Sequence, residues 1–184
     1  MKWGTTLQFE TELKTVTKEA FNVCFKTSED TAIQWLQFRL LHRILPVNKY
    51  LKQLKIKSSD TCSFCGELED IPHLFFLCQN VSRLWNKLSL HILNKIRRQV
   101  GFHLMNILFG EKPLYNNIPF NFIILSSKLY IFKCTRQHKI PEINGLIHHL
   151  TFGFKVEQYI ARRNNKLETF NINWDGWKPI FVDP

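Results

Sequence analysis

In the stretch SEDTAIQWLQFRLLHRILPVNKY, apolar residues fall at Ile33, Leu36, Leu40, Leu41 and Ile44, the three-and-four spacing of one helix face. Ser28, Asp30 and Thr31 are candidate caps for its start. Pro46 predicts its end, because a residue before proline, here Leu45, is pushed towards extended backbone. Asn48 is the candidate cap of a short second helix, KYLKQLK, and the polar run from Lys57 to Gly66 predicts a loop. A long helix is expected from His73 to Ile96, broken near Asn80, with Val81, Leu84, Trp85, Leu88, Ile92 and Ile96 as its apolar stripe. NILFGEKPLYNNIP, with breakers at Gly110, Pro113 and Pro119, reads as a connector.

The helix beginning near Pro119 carries two stripes. One is Phe120, Ile123, Ile124, Ser127, Ile131 and Cys134; the other is Phe122, Leu125, Leu129 and Phe132. A helix apolar on two sides is buried against several neighbours. After Pro141 a further helix carries Ile143, Leu146, Ile147, Leu150 and Phe154 and ends near ARRNNK. The tail NINWDGWKPIFVDP reads as an irregular segment turned at Asp175 and Gly176 and folded back on the helices. The pattern predicts a mainly α, compact helical domain of five or six helices with little or no sheet. Its expected core includes Trp35, Leu36, Leu40, Leu84, Trp85, Ile124 and Ile131. The expected organisation is an N-terminal segment (1–28), a helical module that carries a cysteine-rich stretch (29–110) and a C-terminal helical subdomain packed on it (111–184).

Composition supports a folded core, since 45% of the 184 residues are hydrophobic and phenylalanine outnumbers glycine sixteen to seven. The formal charge of +10 favours a polyanionic partner, nucleic acid before acidic membrane. MKWGTTLQFETELK has no apolar stretch of the kind that marks a secretory signal. The longest apolar runs, FNFIIL and HLFFLC, fall far short of a membrane span. The expected location is therefore intracellular, nucleus or cytoplasm, and not secreted. In such a reducing compartment clustered cysteines bind metal more often than they form disulfides.

The five cysteines include three in CSFCGELEDIPHLFFLC, in the pattern Cys62-x2-Cys65-x7-His73-x4-Cys78. A C-x2-C pair on a tight turn can aim both sulfurs at one centre, and His73 and Cys78 complete a closed Cys3His zinc set. Gly66, directly after the turn, is expected to relieve backbone crowding. On a straight α-helix His73 and Cys78 would point roughly 140° apart, so both reach one ion only if the helix start is loosened or distorted, with Pro72 fixing the entry. A redox pair would need a strand before it, where the polar KSSDT stands. Core burial explains Cys24 and Cys134 but not this spacing.

QWLQFRLLHRILPVNKYLKQLKI, then the cysteine motif, then Trp85, resembles the C-terminal region of LINE-type non-LTR retrotransposon polyproteins, the reverse-transcriptase zinc-binding domain. The likeness continues into ILFG, SSKLYIFKC and KIPEINGL. It implies that Cys62, Cys65, His73 and Cys78 hold Zn2+, and that the region grips template RNA or target DNA during target-primed reverse transcription. A polymerase needs paired carboxylates for two metal ions, and neither these nor endonuclease motifs are found. The chain looks like a detached, non-catalytic tail, with RNA or DNA, and the polymerase part of such a polyprotein, as expected partners and no membrane or small-molecule substrate.

Charge patterning points the same way. No acid occurs from Thr31 to Ser59, which holds Arg39, Arg43, Lys49, Lys52, Lys55 and Lys57, or from Ile71 to Gly110, which holds Arg97 and Arg98. These eight are the candidate nucleic-acid contacts. The acids Asp60, Glu67, Glu69 and Asp70 gather in the zinc loop, which allows a basic face and a separate acidic knuckle. Arg97–Arg98 and Arg162–Arg163 also suit helix C-termini. Tyr50, Phe64, Trp174 and Trp177 could stack bases if exposed, although the two tryptophans suit a core. His148 and His149 read as a surface pair. Lys128 lies on a buried helix, to snorkel or meet a carboxylate. The alternative to a nucleic-acid-binding module is a zinc-stapled helical scaffold for protein interaction.

Overall fold

The computed structural model describes residues 18–112 and 117–181. The first seventeen residues, Pro113 of the connector and the last three residues of the tail lie outside that range. The described residues form eight α-helices: α1 (Lys18–Thr27), α2 (Thr31–Leu41), α3 (Asn48–Gln53), α4 (Gln79–Ile96), α5 (Leu104–Phe109), α6 (Ile118–Arg136), α7 (Ile143–Arg163) and α8 (Leu167–Asn173). A π-helical turn spans His73–Leu77 and a 3-10 turn Lys178–Ile180. Among the described residues the only β pairing is an isolated bridge between Thr61 and Leu68. The mainly α expectation holds.

Helix α6 is the axis of the molecule. It packs against α1, α2, α5, α7 and the π turn, and every residue from Pro119 to Leu129 is buried. Its two apolar stripes require this many neighbours. Beyond it, Phe122, Phe154, Phe170, Trp174 and Phe181 form one aromatic cluster, with Phe154 stacked on Phe181 at 4.7 Å between ring centroids. The residues assigned to a connector and to an irregular tail begin inside α5 and α8, two helices that the pattern did not predict. Each is seven residues or fewer, too short to display a helical period. Helix α5 starts with a reciprocal cap between His103 and Asn106, and Gly110 (φ 86°) closes it where a Cβ would meet the Val23 side chain.

Helix ends follow an unexpected rule. The positive-φ residues other than glycine are Arg43, Lys55, Arg97, His138 and Asn165. Each follows the last turn of a helix. At Arg43 the backbone donates to Leu40 O and the next amide, Ile44, to Arg39 O, the paired bonds of a Schellman closure. The same pair of bonds closes α3 at Lys55, α6 at His138 and α7 at Asn165. Helix α2 therefore ends at this left-handed residue, well before Pro46.

Of the expected core, Leu36, Leu40, Leu84, Trp85, Ile124 and Ile131 are buried, but Trp35 is 59% exposed. It lies off the Ile33–Leu36–Leu40 face that α2 turns towards α6. Lys128 neither snorkels nor meets a carboxylate. It is fully buried, and its ammonium donates to Gln37 Oε1, whose amide in turn donates to Leu108 O. Burial pulls its pKa down to about 7. His149 is not a surface residue either. It is half-buried beside Tyr130, and burial, aided by the Lys133 charge, lowers its pKa to about 4.

Candidate metal centre

The chain leaves α3 through an exposed polar stretch and enters the knuckle at Asp60. The knuckle is tied by Glu69 N donating to Asp60 O (2.8 Å), Gly66 N to Cys62 O (2.9 Å) and Cys62 N to Glu67 O. This hairpin folds the Cys62–Cys65 turn over itself. Gly66 sits at φ 84° with open space where a Cβ would stand. Its contribution is therefore the left-handed dihedral, not the relief of crowding.

Asp70 opens the following turn, accepting from His73 N at 3.0 Å. The turn is π-helical from His73 to Leu77, and its closing bond runs from Cys78 N to His73 O at 2.9 Å. The i→i+5 bond thus joins the two ligands themselves. Widening the turn by one residue per hydrogen bond narrows the angular mismatch that a straight α-helix imposes on residues five apart, and single π turns are frequent at functional sites. Trp85 braces the distortion, its indole N–H donating to Phe75 O at 2.8 Å. Cys78 then turns to φ −58°, ψ 127° and becomes the N-cap of α4, which is where the expected break falls.

The donor atoms of Cys62, Cys65, His73 and Cys78 lie within 4.8 Å of one another. Cys62 Sγ is 4.0 Å from Cys78 Sγ, and Cys65 Sγ is 3.2 Å from His73 Nε2. Zinc distances of about 2.3 Å to sulfur and 2.0–2.1 Å to nitrogen imply tetrahedral edges of roughly 3.5–3.8 Å, which these separations bracket. The surroundings suit thiolates. Phe64 N donates to Cys62 Sγ at 3.4 Å, and the Val81 and Asn80 amides at the start of α4 face Cys78. The hydrogen bond between Cys62 and Cys78 holds the Cys78 thiol below its ordinary range and raises that of Cys62. Three sulfurs and an imidazole nitrogen form a soft, closed set that would hold Zn2+ with no protein-supplied open position.

A partner of this centre escaped the sequence reading. Glu69 is 1% exposed, and its Oε1 accepts from Asn48 N at 2.9 Å at the start of α3. Asn48 does not cap α3 with its side chain; it donates instead to Thr61 O at 2.7 Å and accepts from Lys57 Nζ at 2.7 Å. Burial raises the Glu69 pKa, opposed by the Asn48 amide. The knuckle is thereby bolted to α3. A lone glutamate in an acidic loop carries no sequence signal for this.

The candidate cations are not gathered on a face apart from the acids. Lys49 pairs with Asp70 at 3.6 Å and Lys52 with Asp60 at 3.1 Å, so the Lys52 hydrogen bond lowers the Asp60 pKa. Arg43, Lys55 and Arg97 occupy left-handed helix ends. Arg98 stacks over Trp177 at 4.8 Å and Arg39 over Trp35 at 5.8 Å. Phe64, Trp174 and Trp177 are buried and not available for stacking, while Tyr50 is half-buried. No helix among the described residues is long and apolar enough to cross a membrane.

No curated protein matches the chain. Residues 6–85 match the family model described as zinc-binding in reverse transcriptase, a span that contains all four donors and ends at Trp85. That description is of a zinc-binding region and not of a catalytic polymerase domain, and the matched span carries the geometry that such a region requires.

Proposed function

We propose that this chain is a non-catalytic, zinc-stabilised nucleic-acid-binding module, similar to the tail of a LINE-type retrotransposon reverse transcriptase, that contacts template RNA or target DNA. The zinc centre fixes the knuckle on α3 and α4 and so orients Lys52, Lys55, Lys57 and the neighbouring Arg39 and Arg43. It contributes structure rather than chemistry.

The observation that carries the reading is the placement of cations at strained helix ends. A non-glycine residue in the left-handed region costs about 1–2 kcal/mol. A cation near an exposed helix C-terminus returns about 0.3–1 kcal/mol. Glycine would be the more favourable backbone choice at Lys55 and Arg97, so backbone conformation alone does not account for exposed cations there. Contact with phosphate would account for them. The test is titration of zinc-loaded protein with single-stranded RNA, duplex RNA and duplex DNA at two salt concentrations. The expected result is affinity that falls by roughly 0.7–0.9 log units per log of salt for each phosphate neutralised. A flat salt dependence would defeat the reading.

A second reading has its own support. Phe152, Val156 and Tyr159 form an exposed apolar row on α7, with Phe152 at 63% and Tyr159 at 61% exposure. Such a row suits docking on protein, including the polymerase part of a longer polypeptide. Binding to protein with little salt dependence, and none to nucleic acid, would favour it.

A further inference from the structure

Between α2 and the C-terminal half of α6 lies a groove of about 370 Å³, within the range of small-ligand clefts, roughly 300–1,000 Å³. Trp35 and Arg39 line it from α2, and Phe132, Lys133 and Arg136 from α6, with Leu45 also on its surface. Its aromatics each carry a stacked guanidinium: Arg39 lies 5.8 Å from the Trp35 ring and Arg136 5.0 Å from that of Phe132. No carboxylate lines it among the described residues. Trp85, Trp174 and Trp177 are buried, and Trp35 alone among the described tryptophans is exposed. The aromatic surface also continues along α2, from Trp35 to Phe38 (5.7 Å, edge on) and from Phe38 to His42 (4.0 Å).

We infer that this groove takes an unpaired nucleobase from a single strand, stacked on Trp35 and Phe132, with the flanking phosphates at Arg39, Lys133 and Arg136. The inference rests on the nucleic-acid reading above and narrows it to unpaired bases at named residues. Single-strand sites combine aromatic platforms with a positive track along the backbone, and a paired base would offer no free face to the rings. The row formed by Phe38 and His42 gives a second base a place to stack. The charge argues for this occupant over an apolar peptide, since three cations rim a surface that is otherwise apolar. Half of the groove belongs to α6, outside the residues that match the zinc-binding family.

The test uses the zinc-loaded full chain with fluorescent single-stranded RNA and DNA oligonucleotides and the matching duplexes. Trp35 is exposed, so Trp35→Ala should fold, as checked by circular dichroism. It should lose roughly 5- to 150-fold in single-strand affinity, the range of one base–aromatic stack, while duplex affinity stays unchanged. Trp35→Phe should restore most of the loss, and Arg136→Gln should lower the salt slope for single strands by about 0.7. The RNA and DNA arms identify which strand is taken. Single-strand affinity unaffected by Trp35→Ala would overturn the groove and leave the nucleic-acid reading standing. No binding to any oligonucleotide would overturn both. Self-association abolished by Trp35→Ala, without an effect on oligonucleotides, would make the groove a contact between copies and overturn the inference.

Discussion

Between Asp60 and Cys78 the chain is ordered by four donor atoms, a short hairpin and one widened helical turn. Between Phe122 and Phe181 it is ordered by aromatic area, with Phe154 in ring contact with Phe170, Trp174 and Phe181. The first region concentrates its stabilisation in one point, and the second spreads it over many contacts. They should fail differently: the knuckle by losing one ligand, locally, and the aromatic core by losing volume, globally. Phe64, Ile71, Leu74 and Phe75 belong to the common buried core, so the knuckle stays partly anchored when its donors are released.

Metal removal is the largest perturbation of this contrast. Structural zinc contributes about 10–16 kcal/mol, apparent, in small finger peptides. Cys65→Ser, or chelation of the wild type, should abolish stoichiometric zinc and open the segment from Asp60 to Pro72 to protease. Most of the helical circular dichroism should remain. Complete unfolding would erase the distinction between the two regions.

Phe154→Ala is the converse experiment. It should cost about 3–5 kcal/mol in denaturant unfolding and leave one bound zinc in the fraction still folded. A variant that loses zinc in proportion to stability while folded would show the regions to be one cooperative unit.

Lys128 sharpens the comparison on the side of the helical core. Unfolded lysine titrates near 10.4, and folded Lys128 near 7. Between these values the unfolded chain binds more protons, so this group's contribution to stability is complete above the unfolded pKa and is lost as pH falls towards 7. Lys128→Met should remove about 2–4 kcal/mol of wild-type pH dependence across that window. Equal slopes for the two proteins would refute the burial of an ammonium whose hydrogen-bond partner is a neutral amide.

The smallest effects concern left-handed backbone. Gly66→Ala meets no obstructing atom, so only its dihedral is strained, at about 1–2 kcal/mol. Zinc affinity should fall by about tenfold. Lys55→Gly should instead stabilise the fold by about 1 kcal/mol and, on the proposed function, weaken binding to nucleic acid; unchanged binding would leave that position only its place at the helix end.

The group of four donors was legible because its members are local in the chain and their residue types are selective for soft metal. The long helices α4, α6 and α7 were legible because each runs for many turns, and its apolar period rises above chance. The sequence could pose the angular problem of His73 and Cys78 but not its solution, because a π turn is stabilised by what packs around it, here the Trp85 bond to Phe75. Helices α5 and α8 are too short for a period to show. Non-glycine residues at the left-handed ends of α2, α3, α4, α6 and α7 carry no compositional mark of that role. Trp35 shows the limit most plainly: hydrophobicity states that a side chain gains from burial, while only the packing of α2 on α6 decides which side chains receive it. The same packing left Trp35 facing solvent beside Phe132, almost a hundred residues away in the chain. Local residue chemistry determined the candidate metal centre, and the way the helices cover one another decided the surface around it.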